Sequence, residues 1–196
     1  MEGTQPVKKK LVGALSGAAL LLALTGCGSD DSNDQLDAWA KTVCDQASAQ
    51  TKQINDANTA ITKVDKNGKP ADVKAADSAA FEQISEAYKA LADIVSKAGA
   101  PPVDDGAAQQ KATVADLTKA STAYASVKAK VDGLDTTDQG KFADGLTAAS
   151  AEADTANKTA EAALNTLRKG EVGKSMANQT GCKSPASAPP VSPSAT

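Results

Sequence analysis

Apolar side chains recur at steps of three and four through four long stretches of this 196-residue chain, and that spacing limits the fold more than anything else in it. The first stretch runs Leu36, Trp39, Val43, Ala47, Gln50, Ile54, Ala57, Ile61 and Val64, with Gln50 the one polar member. The second runs Phe81, Ile84, Tyr88, Leu91, Val95 and Ala98. The third has Val114, Leu117, Ser121, Tyr124, Val127, Val131 and Leu134, and the fourth Phe142, Leu146, Ala149, Ala153, Ala156, Ala160, Ala163 and Leu167. Each set falls on one stripe of a helix. Aromatic residues are only 3% of the chain and alanine, the best helix former, dominates its apolar content. A β-sandwich would need short alternating runs of Val, Ile, Tyr and Thr, which are absent here. The expected class is all-α.

The breaks between the stripes carry turn chemistry. Asn67-Gly68-Lys69-Pro70 closes one helix and opens the next with proline in its first turn, and Gly99-Ala100-Pro101-Pro102 closes the second. Asp104 and Asp105 lie where a helix start favours negative charge. Gly133 precedes Asp135, which reads as the N-cap of the fourth helix, and Ser32 with Gln35 fits a capping box for the first. These signals place helices near 33–66, 70–98, 104–133 and 135–169. Short connections between helices of similar length predict an antiparallel up-down-up-down four-helix bundle with an Ala-rich core.

Ahead of the bundle, Lys8-Lys9-Lys10 precede an apolar run from Leu11 to Leu24 and then Leu24-Thr25-Gly26-Cys27. The basic head, apolar run and small residues read as an export signal over 1–26. The run is shorter than the roughly 18 to 20 residues that cross a bilayer as a helix. Leu24-Thr25-Gly26-Cys27 resembles the bacterial lipobox, in which the cysteine is acylated and becomes the first residue of the processed chain. Two or more acyl chains on Cys27 would anchor it stably, since each buried methylene adds about 0.8 kcal/mol. The expected location is the outer face of the cytoplasmic membrane, with residues 27–33 an acidic tether, 34–183 the bundle domain, and the Pro- and Ser-rich 184–196 a disordered tail.

Assigning Cys27 to lipid leaves Cys44 and Cys182, an even pair in an oxidising compartment, for which a disulfide is the natural reading and two free thiols the other. A bond between them makes a demand on the fold. A continuous fourth helix would carry Cys182 away from Cys44, so Gly170 and Gly173 are expected to break it and let Glu171 to Gly181 fold back over the bundle.

Several segments, taken together, are similar to the small secreted lipoproteins of streptomycetes and related actinobacteria. They are Ala38-Trp39-Ala40-Lys41 with Cys44-Asp45-Gln46, Pro101-Pro102-Val103-Asp104-Asp105-Gly106, Leu134-Asp135-Thr136 with Asp138-Gln139, and Gly170-Glu171-Val172-Gly173-Lys174 leading to Gly181-Cys182. The resemblance implies an extracytoplasmic location and the Cys44–Cys182 pair, and brings no catalytic residues with it.

The chemistry the chain excludes is broad. It has no histidine, which removes His-activated serine or cysteine nucleophiles and the commonest zinc, copper and haem ligands. It has no G-x-x-x-x-G-K-S/T loop for phosphates, and Asp30-Asp31 and Asp104-Asp105 lack the alternating oxygens of a calcium loop. Net charge is −3, and −5 once Glu2, Lys8, Lys9 and Lys10 leave with the signal, so nucleic acid is not an expected partner. Trp39, Tyr88, Tyr124, Phe81 and Phe142 fall on the core stripes, while Asp93, Asp116, Glu152 and Glu161 fall off them and read as solvated faces paired with lysines. Neither a cofactor nor a metal is expected. The leading expectation is a non-catalytic envelope lipoprotein that presents a helical surface to an envelope protein partner. The alternative is a bundle that holds a small apolar or lipid ligand.

Overall fold

The computed structural model of the chain describes residues 29–65 and 68–183, and all of its regular structure is helical. The long helices are α1 (Ser29–Lys63), α2 (Pro70–Ala98), α3 (Gly106–Asp132) and α4 (Gln139–Leu167). A short α5 (Gly170–Asn178) and a single 3₁₀ turn (Thr180–Cys182) follow. The four apolar stripes lie where their spacing puts them, with Leu36, Trp39, Phe81, Ile84, Leu91, Leu117, Tyr124, Val127 and Phe142 all buried.

The helix ends differ in instructive ways. α1 starts at Ser29, so the tether expected over 27–33 is already helix from residue 29, and Ser32 sits inside the helix instead of capping it. α4 is capped by Asp138, whose carboxylate accepts the Lys141 backbone N–H at 3.0 Å. Asp135 instead accepts the Thr137 N–H at 2.9 Å and the Thr137 hydroxyl at 2.6 Å, a local turn that brings the chain to the cap. Asp138→Ala is therefore expected to lower stability by about 1 kcal/mol in a denaturant titration, with Asp135→Ala costing less. α3 starts at Gly106, after Asp105 in left-handed geometry (φ 60°) with no side-chain cap.

Neighbouring helices are pinned by polar side chains that reach backbone. Trp39 donates its indole N–H to the Gly99 carbonyl at 3.0 Å, and Gln53 donates to the Gln83 carbonyl at 3.2 Å, so numbers rise in α1 as they fall in α2. Gln110 donates to the Val95 and Ser96 carbonyls at the end of α2, and Gln109 to the Thr166 and Leu167 carbonyls at the end of α4. Two glutamines near the start of α3 thus reach the C-terminal carbonyls of both flanking helices.

Packing is sequential: α1 lies on α2, α2 on α3 and α3 on α4. α1 and α4 do not pack against each other along their length. The fourth stripe explains why. Ala149, Ala153, Ala156, Ala160 and Ala163 are buried but small, and α3 is the main neighbour of their helix.

The chain breaks after α4, as the Cys44–Cys182 pair requires. Gly170 is the breaking residue, with φ +61°, a conformation that costs glycine nothing. Gly173 does not break anything. It lies inside α5, where a Cβ would come within 1.9 Å of the Arg168 carbonyl oxygen, so its role is to let α5 turn tightly back on the end of α4. Ser175 then donates to the Asp37 carboxylate, Val172 and Met176 are buried against the core, and Cys44 and Cys182 are disulfide-bonded with Cα atoms 4.9 Å apart.

Candidate functional site

Because α1 and α4 stand apart, a cleft of about 380 Å³ opens between them. Its walls are α1 (Val43, Ala47, Thr51, Ile54, Asn55, Asn58) and α4 (Asn157, Glu161, Leu164, Leu167, Arg168). Its floor is α2 and α3 (Tyr88, Leu91, Ile94, Val95, Leu117), and one end is closed by Met176, Gly181 and Cys182. The stripe of α1 records the opening. Leu36, Trp39 and Val43 on one side and Ala57 and Ile61 on the other are buried, whereas Ala47, Gln50 and Ile54 in between are only half-buried.

The polar groups of the cleft gather around two tyrosines. Tyr88 and Tyr124 stack with ring centroids 5.6 Å apart, and Tyr124 donates its hydroxyl to the Asn157 side-chain carbonyl. The Tyr88 hydroxyl makes no hydrogen bond among the described residues. Burial pushes the Tyr88 phenol up to about 12, with the Glu161 carboxylate adding to the effect. Burial also raises Tyr124, helped by Tyr88, Asp154 and Glu161. Both rings therefore stay neutral hydrogen-bonding groups at any ordinary pH.

Three of the four carboxylates expected on solvated faces are indeed paired there: Asp93 with Lys89, Asp116 with Lys119 and Glu152 with Lys130. Glu161 is exposed as expected, but among the described residues it has no lysine pair like the other three. It lines the cleft, and its charge is felt by both tyrosines. Its signal in the sequence was one turn of separation from Asn157, on the edge of the alanine stripe. Trp39, Phe81 and Phe142 pack in the core as their spacing implied, and Tyr88 does so while also facing the cleft.

Leu24, Thr25, Gly26, Cys27 and the tail from 184 to 196 lie outside the described residues. Among the described residues, no helix is long and apolar enough to cross a membrane, and no three His, Cys, Asp or Glu side chains come together as a metal would need. No family model, curated protein or solved structure matches the chain.

Proposed function

We propose that this protein is a non-catalytic lipoprotein, anchored through acylated Cys27 at the outer face of the cytoplasmic membrane, that holds a small apolar ligand between α1 and α4. In this reading the four long helices form an antiparallel up-down-up-down bundle with an Ala-rich core, left open along one seam, and the chain is one of the small secreted actinobacterial lipoproteins it resembles. The observation that carries ligand binding is the cleft itself, apolar for most of its lining and large enough for a medium-length hydrocarbon chain.

The competing role, a helical module that docks an envelope protein, has less support. Among the described residues no Val, Ile, Leu, Met, Phe, Tyr or Trp side chain is exposed, so those faces offer no large apolar patch to a partner. The half-buried Ile54, Ile94 and Leu164 instead gather in the cleft.

Two measurements test the proposal. Palmitate labelling of the growing host should mark the full chain and not its Cys27→Ser variant, and equal labelling of both would remove the anchor. Calorimetry with linear alcohols of increasing length should show each added methylene tightening binding by about fourfold, until the cleft is full and the gain stops. Ala47→Trp, which places a large ring in the cleft, should weaken binding by at least about tenfold while leaving the helical circular-dichroism signal intact. Absence of any length dependence would count against the cleft as a binding site.

A further inference from the structure

Polarity in the cleft is zoned. Along α1 from Val43 to Asn58 the lining passes from Val43 and Ala47 to Thr51, Asn55 and Asn58, with Ile54 the one apolar residue among the latter. Along α4 from the disulfide end it passes from Leu167 and Leu164 to Glu161 and Asn157. Along α2 it passes from Val95, Ile94 and Leu91 to Tyr88. All three helices change character in the same direction, so the end closed by Met176 and Cys182 is apolar apart from Arg168 at its edge, and the opposite end carries most of the hydrogen-bonding groups.

That arrangement fits a molecule with two unlike ends. A purely hydrocarbon ligand would desolvate the Tyr88 hydroxyl and the Asn157 amide N–H groups at the polar end without giving them partners. The charge there has one sign. Only Glu161 and Arg168 are charged among the lining residues, and Arg168 lies seven positions further along α4, about 10 Å away and beside the apolar end. Arg168 is the one cation among the lining residues, and none lines the polar end beside Glu161.

Resting on the ligand-binding reading above, we infer that the cleft selects a cationic amphiphile, its apolar body against Leu91, Leu164 and Met176 and its ammonium group at Glu161 beside the Tyr88 hydroxyl. An ammonium head donates to the carboxylate and to the tyrosine oxygen, and the neighbouring tyrosine rings favour positive charge. Asn157, already accepting from Tyr124, keeps its amide N–H groups for a counter-oxygen or water.

The test uses the full chain with decylammonium, decan-1-ol and decyl sulfate, each below its micelle concentration, compared by calorimetry. Decylammonium should bind about tenfold more tightly than the alcohol and more tightly still than the sulfate. In Glu161→Gln, a surface change that leaves the core untouched, decylammonium should fall to the affinity of the alcohol, with the alcohol unchanged. Equal binding of amine and alcohol, or an amine preference that survives Glu161→Gln, would overturn the head-group assignment while leaving the cleft as an apolar site. Preference for the sulfate would overturn it too and move the head to Arg168. If none of the three binds, the ligand-binding reading itself falls.

Discussion

Cys182→Ser is expected to lower the stability of this protein by several kcal/mol, the largest effect of any single exchange considered. The bond joins residues 138 apart, and the chain-entropy account gives about 5 kcal/mol for a loop of that size. This is a ceiling, because helices that persist in the unfolded chain already restrict it. Cys182 is the better position to change. It is half-buried, whereas Cys44 is 0% exposed and a serine there would also bury a hydroxyl. The loss should be local before it is global. Without the bond, α5 and the 3₁₀ turn are held chiefly by the Ser175–Asp37 hydrogen bond and the burial of Val172 and Met176, which let them open more readily than the rest of the fold. Limited proteolysis should then cut near Gly170, and the cleft should lose its closed end. Denaturant titrations with and without reductant check the magnitude, and superimposable curves would mean that the bond contributes nothing.

Asp77→Asn is expected to act in the opposite direction and only above mild acidity. Asp77 lies on α2 between Val73 and Phe81, is 2% exposed, and has no charge or hydrogen bond among the described residues to offset its burial. Its carboxyl is pushed up from 3.8 to about 6 by desolvation. The folded protein therefore holds a proton there that the unfolded chain has lost, so stability falls as pH rises between those two values and levels off above the higher one. At about 1.4 kcal/mol per pH unit the displacement is worth at most about 3 kcal/mol, and about 2 once water reaching the carboxyl is allowed for. Asp77→Asn should recover that amount at roughly pH 7.5 and nothing at roughly pH 4. The other shifted carboxylates do not obscure the window. Asp93, Asp132 and Asp135 are held below the ordinary range by hydrogen bonds from Lys89, from Lys128 and Ser78, and from Thr137. Their contributions are lost only as pH drops below 3.8. Equal gains at both pH values would show that Asp77 titrates alike in the folded and unfolded chain, so that burial does not raise its pKa.

Much of this architecture is legible in the sequence, because each long helix declares its buried face through spacing alone. α2 begins and ends at the residues its turn signals mark. What spacing does not declare is which faces meet. A stripe needs only one cover, and the alanines of α4 are covered by α3, so the seam between α1 and α4 stays open even though both helices have complete stripes. The visible hint was Gln50, a polar residue in the stripe of α1 at the height where burial becomes partial. Caps were legible as a cluster and not as a residue: Asp135 and Asp138 both accept backbone N–H groups, and the geometry of the turn decides which of them caps. Gly170 and Gly173 read alike in sequence, yet one supplies a positive φ and the other a vacant Cβ position. Asp77 was hidden by its charge, although its place one turn after Val73 and one before Phe81 put it on the buried face.

The alanine face of α4 has one more effect. Large side chains interlock like the teeth of a gear and fix how far one helix can slide along another, but a row of identical methyl groups is a smooth rail. Shape alone would accept α4 displaced by a full pitch, about 5.4 Å. Its longitudinal position is instead held by three clamps from α3: Gln109 on the Thr166 and Leu167 carbonyls, Tyr124 on Asn157, and Lys130 on Glu152. The middle clamp is a side chain of the cleft itself, so whatever competes for Asn157 also loosens the brake on the rail.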